Sequence, residues 1–314
     1  MDSKILITGA AGFIGFKLAK YLHKKKFKLF LLDNLSRGKM DKDFKSFCKL
    51  KNVKFKKINM TKPFKLKENF KYIFHLASIV GVKNVNKDPI KTLENNIFST
   101  LNLIQSIKYK TKIIFFSTSE VYSPLIFEKK RFFTLKENFN LLVPKKTSPR
   151  DSYFLSKLIS EKITSLSKHN YLILRPHNIY GPRMGSSHVI PELIKKMKKK
   201  ECLVYSPSHT RAFCYIDDAV DQILKLSFKT TNYNEVYNIG NMKEEIKIFN
   251  LAKKIKKIIS SECSLKKSKI TLGSPMRRVP DMTKTIKLTR KNNFVSLNDG
   301  IKKTADWYLN EKKY

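Results

Sequence analysis

Thr8-Gly9-Ala10-Ala11-Gly12-Phe13-Ile14-Gly15 decides the fold of this chain. The run is G-x-x-G-x-x-G, preceded by the short apolar stretch 4–8 and followed by helical periodicity over 15–25. An apolar run this short, stopping at glycine, reads as a buried strand. Glycines so spaced permit a tight turn and close backbone approach to a bound group, and the helix N-terminus behind them suits a pyrophosphate. A second apolar run, 27–32, ends at Asp33. An acid there bonds ribose hydroxyls and disfavours a 2′-phosphate, so the pattern predicts NAD over NADP, with Arg37 the one nearby feature suited to the phosphorylated form.

Outward from this turn, 53–58, 72–76, 113–117 and 171–174 read as further strands, and 93–107 and 153–166 as helices. Alternating strands and helices predict an α/β fold, a doubly wound parallel sheet with helices on both faces. From Pro176 onward prolines and loops increase. There 191–200 reads as an amphipathic helix, 211–216 as extended, Asp217-Asp218 as a helix start and 237–240 as a short strand. The expected domains are 1–175 for NAD, joined by a return segment 211–240, and a smaller C-terminal substrate-binding lobe of 176–210 and 241–314.

The 314 residues suffice for a sizeable core. No apolar run approaches the ~20 residues of a membrane span, and the first residues lack a signal-peptide pattern. No membrane partner is expected. Cys48, Cys202, Cys214 and Cys263 are scattered, which suggests free thiols in a reducing cytoplasm. The histidines show no ligand spacing, so no metal site is expected. The net charge of +40 comes from 65 basic residues, of which 9 are arginine and 56 lysine. Lysine abounds together with Ile, Asn and Phe, all encoded by AT-rich codons, so codon bias accounts for the charge and no nucleic-acid partner is expected. The charge still steers anionic substrates inward.

Ser117-Thr118-Ser119-Glu120-Val121-Tyr122 and Tyr153-Phe154-Leu155-Ser156-Lys157 carry the chemistry. Tyrosine is a weak base at a pKa near 10. A lysine four residues on lies on the same helix face and lowers that pKa. Together with a hydroxyl and a carboxylate, these are the parts needed to take a proton from a sugar alcohol. His75 and Trp307 are expected to be structural, and Tyr122 to pack rather than react.

Together the motifs TGAAGFIG at 8–15, LDNLSRG at 32–38, HLAS at 75–78, STSEVY at 117–122, YFLSK at 153–157, RPHNIYGPR at 175–183, TRAFCYIDD at 210–218 and YNIGN at 237–241 make the chain resemble the extended short-chain dehydrogenase/reductase family. Its members include NAD-dependent nucleotide-sugar epimerases, dehydratases and decarboxylases. The resemblance implies a Rossmann domain with NAD as cofactor. It places the cofactor at Gly9, Gly12, Phe13, Ile14 and Gly15 in the first turn, and at Asp33, Asn34 and Ser36 after the second strand. Asn59, Met60, Leu76, Ala77, Ser78 and Asn96 follow, then Ser117, Tyr153 and Lys157. It also implies a homodimer formed through a four-helix interface built from 93–107 and 153–166.

Within the family, DPIKTLENN at 88–96, Pro149-Arg150 and Arg278-Val279-Pro280-Asp281 resemble UDP-glucuronate decarboxylases. That resemblance implies catalytic roles for Thr118, Ser119, Glu120, Tyr153, Lys157 and Arg278. It implies a UDP-linked sugar held by Arg150, Asn178, Arg183, Val189, Tyr205, Arg211 and Arg278. Arginine is scarce, yet Arg150, Arg175, Arg183, Arg211, Arg277 and Arg278 lie in or near motifs, as forked anion recognition requires. Arg211 suits the diphosphate and Arg278 the sugar end, with Arg175 the most structural of the set. Ser119 stands where 4,6-dehydratases commonly carry aspartate. Departures include Ser123, Asn59-Met60, His177, and the stretches 185–188 and 206–209. The expected reaction is decarboxylation of UDP-glucuronate after transient oxidation at C4. The alternatives are 4-epimerisation, 4,6-dehydration, or an NAD-binding sensor without catalysis.

Overall fold

The computed structural model describes residues 3–129, 133–200, 202–229 and 231–310. The chain divides into two compact units, one of 1–121, 143–175 and 226–237, the other of 122–142, 176–225 and 238–314.

The first unit is built from β1 (Lys4–Thr8), α1 (Phe13–Lys24), β2 (Lys28–Asp33), α2 (Lys42–Phe47), β3 (Val53–Lys57), β4 (Tyr72–His75), α3 (Val82–Lys87), α4 (Pro89–Ser106) and β5 (Lys112–Phe116). After a short 3-10 turn at Ser119–Tyr122 come α5 (Ser123–Lys129) of the second unit, then α6 (Asp151–Ser165) and β6 (Asn170–Pro176). The strands form the sheet β11-β6-β5-β4-β1-β2-β3, with β11 at Glu235–Ile239. All pairs from β3 through β6 run parallel. Parallel strands covered on both faces are apolar throughout, and Ile5–Ile7, Leu29, Leu31, Ile73, Phe74 and Ile113–Phe115 are buried. One core cluster joins Leu6, Leu32, Met60, Phe70, Ile73 and Leu103.

Caps explain why the helices start where they do. Asp88 accepts from the Lys91 N–H with Pro89 at the first helical position, so α4 starts four residues before its apolar pattern. The Asp151 carboxylate accepts from the Ser148 N–H at 2.6 Å and fixes the entry to α6. The stretch 226–237 is tied to this unit by long-range contacts. Phe228 stacks on Phe27 and meets Tyr72 edge-on, the Lys112 ammonium donates to the carbonyls of Ser227 and Lys229, and Asn234 bonds the Tyr171 backbone.

The second unit contains β7 (Ile179–Tyr180), α7 (Val189–Lys198), β8 (Leu203–Val204), β9 (Thr210–Ala212), β10 (Cys214–Tyr215) and most of α8 (Ile216–Phe228). It continues with β12 (Glu245–Lys247), α9 (Ile248–Ile258), β13 (Lys266–Lys267), β14 (Arg277–Arg278), α10 (Thr283–Thr289) and α11 (Leu297–Asn310). Helices α7, α9 and α11 pack together. They bury faces at helical spacing, such as Leu251, Ala252 and Ile255, or Ile190, Leu193, Ile194 and Met197. A small sheet β12-β9-β14 pairs β12 antiparallel and β14 parallel to β9.

The expectation of four free thiols is corrected. Cys202 and Cys263 form a disulfide across 61 residues with Cα atoms 6.1 Å apart, within the usual range. The parallel pairing of β8 with β13, extended by the Lys266 N–H to the Cys202 carbonyl, brings them together. Cys48 and Cys214 remain thiols. The cysteines therefore no longer argue for a reducing compartment. No helix among the described residues is long and apolar enough to cross a membrane.

Candidate active site

The glycine turn follows β1 and opens α1. Gly9 has φ +67°, and a Cβ there would meet the Ala77 nitrogen at 2.9 Å. A Cβ at Gly15 would come within 2.3 Å of the Gly9 carbonyl oxygen, so the helix could not start this close to the strand. Gly12 is the N-cap and supplies no side-chain cap, which leaves the first-turn N–H groups of α1 for an anion. Asp33 ends β2. Its carboxylate accepts from the Ala11 N–H at 3.0 Å and the Leu35 N–H at 2.8 Å. The acid thus holds the glycine turn and its own loop in register. Asn34 and Asn59 close local turns on Ser36 and Thr61. The Met60 side chain lies in the core cluster.

The β4 end is positioned by a buried polar chain. Thr8 Oγ1 accepts from the Ala77 N–H and donates to His75 Nδ1 at 2.7 Å, while His75 Nε2 donates to Thr100 Oγ1 at 3.1 Å. The Thr100 hydroxyl is spent on the Asn96 carbonyl, which assigns that histidine tautomer. Burial pushes the imidazole down to about 3, helped by the Lys157 charge, so His75 stays neutral and structural. Asn96 brackets Ile79 through both its N–H and its carbonyl and donates to Ser156 Oγ, which joins the loop holding Leu76, Ala77 and Ser78 to α4 and α6.

The first unit places the candidate catalytic residues at the end of β5 and along α6. Tyr153 and Lys157 share one face of α6. The Lys157 ammonium donates to the Phe116 carbonyl at 2.8 Å and lies 5.0 Å from the Phe115 ring centre. Burial pushes it down to about 7, and Glu161 opposes that shift. Thr118 and Ser119 follow, both buried, with Thr118 Oγ1 accepting from the Glu120 N–H. The Arg150 guanidinium stands 3.7 Å from the Glu120 carboxylate. Burial holds the Arg37 head group below the usual arginine range, while Tyr153 works against that shift.

The second unit carries the remaining expected residues. Arg211 on β9 and Arg278 on β14 are register partners, so their side chains leave the same face of the small sheet. The Arg211 guanidinium donates to Thr210 O, Pro275 O and Ser274 Oγ, fastening the 274–276 loop. Asn178, at φ 38°, donates to the Ala212 carbonyl. Arg183 has φ 69°, Val189 opens α7, and Tyr205 carries the Lys196 ammonium 4.6 Å over its ring. Tyr122 is fully buried with its hydroxyl on Asn238, and Trp307 packs edge-on against Tyr308.

The family model of the NAD-dependent epimerases and dehydratases matches residues 5–240. The chain belongs to that family. It is 30% identical to a UDP-N-acetyl-alpha-D-glucosaminuronate decarboxylase of Bacillus cytotoxicus, over 98% of each chain. It is 29% identical to UDP-glucuronic acid decarboxylase 5 of Arabidopsis thaliana, over 96% of this chain and 87% of that one. Among solved structures, a mutant UDP-glucuronic acid 4-epimerase of Bacillus cereus with a fluorinated UDP-glucuronic acid and NAD aligns with TM-score 0.85 at 28% identity, covering 98% and 99% of the two chains.

Family membership makes this chain an NAD-dependent enzyme, and the glycine turn fits that cofactor. Two features here escaped the sequence reading. Glu161 and Arg175 form a buried, two-point ion pair. Thr8 and Thr100 fix the histidine. The spacing Tyr153, Lys157, Glu161, four and four, was the available signal for the first.

Proposed function

We propose that this enzyme decarboxylates a UDP-linked uronic acid, with UDP-glucuronate the first substrate to test, by way of transient oxidation at C4. NAD, when bound, supplies the acceptor and later the donor of the hydride at that carbon. Tyr153 takes the O4 proton, and Lys157 lowers the cost of the tyrosinate by its charge. Thr118 or Ser119 orients the same oxygen. A 4-ketone makes a C6 carboxylate a β-keto acid, which loses carbon dioxide as its electrons enter an enolate that nearby donors stabilise. Glu120, steadied by Arg150, manages protons at the sugar.

The observation that carries this reading is the register pairing of Arg211 with Arg278. Two guanidinium groups leaving one face of a small sheet suit a substrate that bears two anionic groups. A UDP-uronate has such groups, the diphosphate for Arg211 and the carboxylate for Arg278. The decarboxylases named above point the same way. Incubation with UDP-glucuronate and mass spectrometry of the product tests it. Loss of carbon dioxide supports decarboxylation, and an isobaric product would favour 4-epimerisation, the activity named for the Bacillus cereus neighbour.

We also propose a homodimer through α4 and α6, which pack against one another. Ile90 is 63% exposed and Phe98 46% on one face of α4, and Ile159 and Leu166 are 41% and 85% exposed at a seven-residue spacing on and just past α6. A second copy would cover this apolar stripe, and sedimentation of Phe98→Glu against wild type tests it.

A further inference from the structure

Tyr153, Lys157 and Glu161 follow one another at intervals of four along α6, so they line one helix face. The first two belong to the proposed chemistry; Glu161 is unused by it. Its Oε1 accepts from the Ser117 hydroxyl and, at 3.0 Å, from Arg175 Nε, and its Oε2 accepts from Arg175 Nη2 at 2.8 Å. Both side chains of the pair are 5% exposed. A buried ion pair is a poor source of net stability, because desolvation offsets the attraction. Its position is informative instead. Ser117 directly precedes Thr118, and its N–H is bonded to Leu174 O at 2.7 Å. Lys157 holds Phe116 O, the neighbouring residue. Successive turns of α6 therefore fasten successive residues at the end of β5.

We propose that Glu161 is a positioning residue: with Arg175 it anchors Ser117 at the head of the Thr118–Ser119 run, and it places a fixed anion one helical turn from Lys157 and two from Tyr153. The proposal rests on the reading of Tyr153 and Lys157 as the proton-transferring pair. The charged and titratable groups around that pair are Glu161 on the same helix, neutral His75 from β4, Arg175 from β6 behind Glu161, Arg37 from the loop after β2, and the Glu120–Arg150 pair. Glu161 is the anion whose field reaches Lys157. An anion nearby favours the protonated form of every neighbour. Removing it lowers the pH at which the coupled Tyr153–Lys157 pair loses each proton.

The test follows tyrosine ring carbons labelled at Cζ through a pH titration by NMR, with the Tyr153 signal assigned by its loss in Tyr153→Phe. In Glu161→Gln the Tyr153 midpoint moves to lower pH, by about one unit. In Glu161→Asp, which keeps the charge, it stays at the wild-type value. A midpoint unchanged in Glu161→Gln overturns the proposal, as does an equal shift in both variants, which would assign the effect to packing. If Glu161→Gln does not fold, the double variant Glu161→Gln/Arg175→Gln leaves no lone buried charge, and the shift is expected in the same direction but smaller. Failure of the underlying reading looks different: Tyr153→Phe would turn over UDP-glucuronate at the wild-type rate while the Glu161 effect on the midpoint persisted.

Discussion

Arg211 and Arg278 are register partners on adjacent parallel strands, two guanidinium groups leaving one face of a three-stranded sheet. Arg211 is bound to the carbonyls of Thr210 and Pro275, so its position is set by the backbone around it. That rigidity suits a fixed anion such as a diphosphate. Arg278 is the partner we propose for the carboxylate.

Arg278→Lys keeps the charge and loses the planar fork. A charged hydrogen bond is worth about 1.5–3 kcal/mol, so KM for UDP-glucuronate should rise by about ten- to a hundredfold. Inhibition by UDP-glucose gives the control, since that sugar lacks the carboxylate and can bind without being decarboxylated. An equal loss for both sugars would reassign Arg278 to the nucleotide.

Tyr153→Phe removes the proposed base and leaves the glycine turn untouched. General-base removal costs about 10²–10⁴ in kcat. NAD binding, followed by calorimetry, should be retained, with at most a modest loss from the single contact Tyr153 offers the cofactor. Activity above a tenth of wild type would remove Tyr153 from the chemistry.

His75 makes stability depend on pH. Its folded pKa, about 3, lies below the ordinary histidine value of 6.5. Between these values the unfolded chain binds a proton that the folded chain refuses. This contribution is therefore present above about pH 6.5 and is lost as pH falls, with a slope of up to about 1.4 kcal/mol per pH unit. Urea melts of wild type and His75→Asn between pH 4 and 7 should show a flatter dependence in the variant.

The Cys202–Cys263 link predicts two titratable thiols, Cys48 and Cys214, in denatured, unreduced protein. Closing a loop of 61 residues should contribute about 2–4 kcal/mol against unfolding. Four thiols, or an unchanged melting temperature after reduction, would count against it.

The parts of this molecule that were legible in the sequence are those set by local pattern. The glycine turn, the apolar strands and the Tyr153–Lys157 spacing each lie within a few residues and announce their own geometry. What escaped was set by distant pairing. Nothing within ten residues of Cys202 indicates that β13 will lie beside it, or that β14 will put Arg278 against Arg211. Asp33 was read for the ribose alone, and its bonds to Ala11 and Leu35 appear only once the turn is folded. Glu161 was missed for another reason: a carboxylate on a lysine-rich helix looks solvated until Arg175 and Ser117 are found against it.

The central claim joins Tyr153 to the loss of carbon dioxide from a UDP-uronate. Its most direct test supplies UDP-glucuronate labelled with heavy carbon at C6 to the wild-type enzyme and to Tyr153→Phe, with NAD present, and measures labelled carbon dioxide. The account expects release by wild type and almost none by the variant. A labelled product that keeps its C6 carbon in wild type, or equal release by both proteins, would contradict it.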